Sequence, residues 1–170
     1  MSTTDLVTDV LDYLVAQCQT AAAGGSLAGV TVFDGPQPSA AAVGMEQVLW
    51  VGYDPMSPGI EIGSADQEFA FLGDKGATRN ETGSVTCCAK HWTGDTSFQV
   101  HRDGCKAIVG AVELMLRGLP SSGPGDASMG GIVFWGQVTG PFAWYQQLTD
   151  GGAEALCVFK IGYFGRVVTT

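Results

Sequence analysis

Two stretches of the chain space their apolar residues as helices do, while the other apolar runs are short and rich in β-branched residues. No other feature narrows the fold as much. In residues 5–19, Leu6, Val7, Val10, Leu11, Leu14, Val15 and Cys18 form one broad stripe, with Asp5, Asp9, Asp12 and Gln19 mainly away from it. Thr3 or Thr4 can cap this helix, the aspartates suit the positive end of its dipole, and Gly24-Gly25 ends it. In residues 98–117, His101, Cys105, Ile108, Val112 and Met115 share one face, and Arg102, Lys106, Glu113 and Arg117 take the opposite one; Gly94-Asp95-Thr96 supplies the loop and N-cap. A helix with a single apolar face must bury it against another layer, and the short runs supply the strands.

Those runs are Val30-Thr31-Val32-Phe33, closed by Asp34-Gly35-Pro36; Val48-Leu49-Trp50-Val51-Gly52-Tyr53, closed by Asp54-Pro55; residues 85–92; and residues 131–138 and 154–163. The last two are expected to pair antiparallel, joined through Trp144-Tyr145-Gln146-Gln147 and the turn Asp150-Gly151-Gly152. Residues 55–83 read as a long loop or insertion with one brief strand at Glu68-Phe69-Ala70-Phe71-Leu72. The expected fold is therefore α/β of the α+β type: one mixed, largely antiparallel sheet packed against two main helices. With 170 residues, the whole chain is expected to form one domain.

Apolar residues make up 45% of the chain and charged residues only 15%, which is ample for a core but sparse for a surface, so part of that surface is expected to meet neighbours. The charge is also unevenly placed. Ten acidic residues and no basic one precede Lys75, whereas the seven acids and eight bases from Lys75 onward nearly cancel; the net charge of −9 belongs to the first part. Such a surface disfavours nucleic acid and anionic membranes, which bind through Lys and Arg. No apolar run is long enough to span a bilayer, and Met1-Ser2-Thr3-Thr4-Asp5 lacks the flank of a signal peptide, so synthesis and assembly are expected in the cytoplasm.

Catalytic and metal-binding chemistry finds little support. Cys18, Cys87, Cys88, Cys105 and Cys157 fall in apolar elements and read as reduced, buried thiols. Cys87 and Cys88, adjacent in a strand, point to opposite faces and cannot ligate one ion together. His101 and Cys105 share a helix face, yet no CxxC pair or HxxxH motif completes a zinc site. A Cys/His hydrolase using Cys87 or Cys88 with His91 needs a thiol and base in contact, which their strand spacing of about 10 Å or more opposes. GxSxG, P-loop and GxGxxG sequences are missing. No catalytic residue, metal or cofactor is expected. A module binding a small apolar ligand between sheet and helices is a further alternative. The aromatic cluster Trp135, Phe142, Trp144 and Tyr145 reads as core or subunit contact.

The order of short motifs carries a resemblance. The first helix leading into Gly29-Val30-Thr31-Val32-Phe33-Asp34-Gly35-Pro36, then Val48-Leu49-Trp50-Val51-Gly52-Tyr53, Ala77-Thr78-Arg79-Asn80-Glu81-Thr82, Trp92-Thr93-Gly94-Asp95-Thr96 and Gln146-Gln147-Leu148-Thr149-Asp150-Gly151-Gly152, resembles the tail-terminator proteins of long-tailed bacteriophages, in particular those of actinobacterial phages and prophages. The likeness implies a structural virion protein of the tail and neck, not an enzyme. Such a subunit forms a ring, typically a hexamer, that caps the tail tube, stops its polymerisation and meets a head-completion or connector protein. DNA passes through the lumen without specific binding. A head-to-tail connector or head-closure protein is the alternative within the same assembly. Expected interface residues are Asp66, Glu68, Phe69, Phe71, Arg79 and Glu81 in the long segment, with Trp144 and Tyr145; Asp5, Asp9 and Asp12 are expected to line the lumen.

Overall fold

The computed structural model describes residues 5–37, 44–59, 62–69, 78–117 and 127–168. In chain order these form α1 (Val7–Ala22), β1 (Thr31–Asp34), β2 (Gln47–Val51), β3 (Gly63–Phe69), β4 (Thr78–Trp92), α2 (Phe98–Leu116), β5 (Trp135–Thr149) and β6 (Gly152–Val168). The described residues thus make an α+β fold with two helices and one six-stranded mixed sheet, as the hydrophobic periodicity requires.

The strands run in the order β1-β2-β4-β6-β5, and β3 pairs with β4 off this path. Only β1 and β2 are parallel; the other pairs are antiparallel. β4 is long enough to carry two partners on one side: β3 against Arg79 to Val85 and β2 against Cys87 to His91. Its other side lies along β6 for its full length. Both helices cover the same face, α1 mainly over β1 and β4, α2 over β6, β4 and β5.

Strand alternation sorts the core into two parts. On the helix side, Leu49, Val51, Val85, Cys87, Ala89, Cys157, Phe159, Ile161 and Tyr163 meet Val10, Leu14 and Cys18 of α1 and Cys105, Ile108, Val112 and Met115 of α2. The opposite face holds a smaller cluster of Val48, Trp50, Cys88 and Leu156, flanked by Phe33, Tyr53 and Tyr145. Cys87 and Cys88 therefore enter different clusters, as their adjacency in a strand dictates.

The fold departs from the sequence-based expectations in three places. Residues 55–83 are not one long loop: β3 and the start of β4 occupy much of that range. The strand expected at residues 68–72 is found at Gly63–Phe69, and residues 70–72 lie outside the described residues. Ser64, Ala65, Asp66 and Glu68 are exposed, so β3 lacks the apolar alternation by which a half-buried strand is read. Finally, Trp144-Tyr145-Gln146-Gln147 belong to β5 itself, because the strand continues past Gly140-Pro141 through a shift of register between Thr139 and Ala143. An edge strand tolerates a proline at such a bulge, where an interior strand would lose a ladder hydrogen bond.

Candidate functional site

β5 is the terminal strand of the sheet and pairs with β6 alone among the described residues. Its fifteen residues include no charged side chain. Four of its apolar side chains stand in solvent: Trp135 at 40%, Phe142 at 48%, Trp144 at 39% and Leu148 at 69% exposure. Phe142 and Trp144, with Val109, Gly110 and Glu113 of α2, line a groove of about 320 Å³ beside the helix. Trp135 stacks on Phe164 with ring centroids 6.4 Å apart, and Arg166 lies 5.4 Å over the neighbouring Phe134 ring. Tyr145 turns the other way and packs on the smaller cluster beneath Trp50 and Leu156. Exposed edges in soluble proteins usually carry Lys, Pro or inward-pointing charge that discourages pairing; of these the β5 edge has Pro141 alone.

The opposite flank is acidic. Asp34 ends β1, and Asp66 and Glu68 stand exposed on β3, on the face away from the helices. On α1, Asp12 is exposed and Asp9 is half-buried, as is Asp5 just before the helix. The topology thereby converts the charge division along the chain into a division across the sheet, acids beside β1 and β3 and an uncharged margin at β5. Arg102, Lys106 and Arg117 lie on α2, where Lys106 pairs with Asp103 at 3.2 Å and Arg117 with Glu113.

Of the remaining interface candidates, Phe71 lies outside the described residues and Phe69 is placed by its backbone pairing with Arg79. Arg79 is half-buried and donates to Gln67 Oε1 at 3.1 Å. Glu81 must be corrected: it is fully buried at 0% exposure and offers no surface to a neighbour. Its Oε1 accepts from the Leu6 backbone N–H at 2.9 Å and from the Tyr163 hydroxyl at 2.7 Å, while Oε2 accepts from Gln67 Nε2 at 2.6 Å. Helix α1 begins at Val7 without a side-chain cap of its own, so a carboxylate from the sheet satisfies one of its free amides and stands at the positive end of its dipole. Tyr163 reaches Glu81 across Gly83, where a Cβ would come within 2.3 Å of the phenol oxygen. Burial, and then the Glu81 hydrogen bond and charge, push the Tyr163 hydroxyl far above its ordinary value. Period-two alternation carried back from Ala89, Cys87 and Val85 assigns Glu81 to the buried face, which is the signal that would have found it.

The two histidines meet. His91 Nδ1 and His101 Nδ1 are 3.1 Å apart, and His101 Nε2 lies 3.0 Å from the Asp95 carbonyl. A carbonyl only accepts, so His101 carries a proton on Nε2; in the uncharged pair its Nδ1 is then the acceptor and His91 Nδ1–H the donor. Gly104 makes room for this contact, since a Cβ there would come within 2.1 Å of the His91 ring. Burial, and then the charge of His101, lower the His91 pKa below its ordinary 6.5, against a smaller opposing effect of Glu46.

The cysteines are free and buried. Burial raises all five thiols, Cys18 and Cys105 to about 12 and Cys157 to about 11. They remain thiols at neutral pH, which is unsuited to nucleophilic attack. Neither Cys87 nor Cys88 hydrogen-bonds to His91, whose Nδ1 is engaged with His101; the Cys105 thiol instead contacts the Ala155 carbonyl at 3.2 Å. Among the described residues no group of three or more His, Cys, Asp or Glu is placed to hold a metal ion, and no helix is long and apolar enough to cross a membrane.

Neither the protein-family models nor the curated proteins include a match to this chain.

Proposed function

We propose that this chain is a structural subunit of a long-tailed bacteriophage virion, a tail terminator that closes into a ring on the tail tube, stops its growth and joins it to the head side of the neck. The observation that carries this reading is the β5 margin: a fifteen-residue terminal strand with no charge and with Trp135, Phe142, Trp144 and Leu148 in solvent. An isolated protein gains nothing from such an edge and risks aggregation through it, whereas a subunit buries it against a neighbour. The motif order quoted above supplies the kind of assembly. In the ring, Asp5 ahead of α1 and Asp9 and Asp12 on it line the lumen and repel the DNA phosphates, so that DNA slides past without adhering.

The test is the mass of the purified protein by light scattering, with negative-stain imaging in the presence and absence of tail tubes. Closed rings, free or seated on tube ends, are the expected result. A protein that stays monomeric and ignores tube ends under all conditions overturns the proposal. The head-to-tail connector reading differs in one outcome, binding to the head-side portal structure in preference to tube ends.

A further inference from the structure

We infer that the histidine pair is an acid-sensitive tie, which fastens the β5–β6 hairpin to the start of α2 and releases it when the pair takes up a proton. The Asp95 carbonyl is the point of attachment. It accepts from His101 Nε2–H at 3.0 Å and from the N–H of Ala153, near the start of β6, at 2.8 Å. The hairpin also rests on the loop that carries Asp95. A Cβ at Gly152 would come within 2.7 Å of the Gly94 backbone, and one at Gly151 within 3.1 Å of the Trp92 ring. Behind the carbonyl, His91 Nδ1 and His101 Nδ1 meet at 3.1 Å, with His91 8% and His101 0% exposed. The tie therefore runs from β4 through the first turn of α2 to the hairpin, where the exposed margin ends at Leu148 and Thr149.

The uncharged pair holds one proton on each ring, and the geometry leaves no good place for another. On His101 Nδ1 it would set donor against donor across 3.1 Å. On His91 Nε2 it would press a cation against α2 at Gly104, where a Cβ would come within 2.5 Å of that nitrogen. The groups around the His91 ring do little to neutralise such a charge. α2 presents His101 and the Cys105 thiol, which burial keeps protonated. β6 presents Ala155, while Glu154 pairs with Lys90 at 3.3 Å on the opposite face. The Asp95 carboxylate accepts from the Ser97 N–H at 2.7 Å, and Glu46, exposed ahead of β2, offsets only part of the effect of burial. Separation of the rings relieves the charge. β4 is held at His91 by Gln47 of β2 and Ala155 of β6, whereas α2 begins without a side-chain cap, so the start of the helix is the part that moves. Its movement carries Asp95 away from Ala153. The open form binds the proton more tightly than the tied form, and acid therefore favours opening.

The test combines imidazole NMR with amide hydrogen exchange on the full chain between pH 7.5 and pH 5, the exchange corrected for its intrinsic pH dependence. At pH 7.5 the His91 ring is expected in the Nδ1–H tautomer and the His101 ring in the Nε2–H tautomer. On acidification the Ala153 amide is expected to lose about tenfold more protection than that of Ile161, which β6 holds between β4 and β5, and to do so with the midpoint of proton uptake by His91. His91→Gln, whose side chain takes up no proton, is expected to abolish that difference. The inference is overturned if Ala153 and Ile161 lose protection together, if the selective loss follows no imidazole titration, if either ring adopts the other tautomer, or if the loss persists in His91→Gln. Should that variant fail to fold, the match between Ala153 exchange and the imidazole titration of the original protein decides by itself.

Discussion

The corner around Glu81 and the margin formed by β5 invert the usual distribution of polar and apolar groups in opposite ways. At the corner a carboxylate is fully buried, yet its described donors, the Leu6 N–H, the Tyr163 hydroxyl and the Gln67 amide, all come from the same chain. At the margin, large apolar side chains stand in water although the chain has a core that could receive such groups. The difference separates what stabilises the monomer from what remains for a partner. Buried polarity is tolerable when every donor is matched, and exposed apolarity is useful when a second surface covers it.

Replacing Glu81 tests the closed region most severely. Glu81→Leu removes the acceptor of two buried donors and of the half-buried Gln67 amide and should cost about 3 kcal/mol or more of unfolding free energy, read as a lower denaturant midpoint; Glu81→Gln keeps an acceptor for Leu6 and Tyr163 and should cost about 1 kcal/mol. A loss no larger for Leu than for Gln would show that the network contributes little to stability. A smaller effect is expected at the histidine pair. The folded-state pKa of His91 lies below its unfolded value near 6.5, so the unfolded chain binds the extra proton first as the solution is acidified. Stability from this group is complete above pH 6.5 and is lost as pH falls through the folded pKa. Melting temperatures between pH 7.5 and pH 5 should therefore decline less steeply for His91→Gln than for the original protein, and an unaltered slope would remove the pair from the pH response.

The smallest effect on folding is expected at the margin, and there the comparison is sharpest. Leu148→Glu at a position 69% exposed should change unfolding free energy by no more than about 0.5 kcal/mol while weakening self-assembly. A core-sized loss of stability would place Leu148 in the monomer's own packing, and undiminished assembly would leave the margin without the role proposed for it.

The two helices were legible because one-sided burial leaves a periodic trace: all five stripe positions assigned to α2, His101, Cys105, Ile108, Val112 and Met115, are buried. β2 and the second half of β4 were legible for a different reason, since they are buried on both faces and read as continuous apolar runs. β3 was not, because its exposed side chains are polar and its stability comes from backbone pairing with β4, which has no side-chain signature. The extension of β5 was hidden by Gly140 and Pro141, which ordinarily mark a turn. Both histidines sit at core-facing positions in the sequence pattern, but their contact depends on the absence of a side chain at Gly104, three positions beyond His101 on α2 and on a different element from His91.

The sequence by itself determined which faces of the helices are apolar, where the acids are concentrated, and that the stretch forming β5 has no charge, because composition and periodicity are local properties. Tertiary structure alone decided that β4 and β6 lie at the centre, that β1, β3 and β5 each pair on one side only among the described residues, and that Glu81 closes the start of α1 from 75 residues away. Backbone donors and acceptors are nearly alike in every strand, so the choice of neighbour rests on how side chains from distant segments fill the same space. That choice carried acids that are early in the chain to one side of the sheet and an uncharged edge to the other.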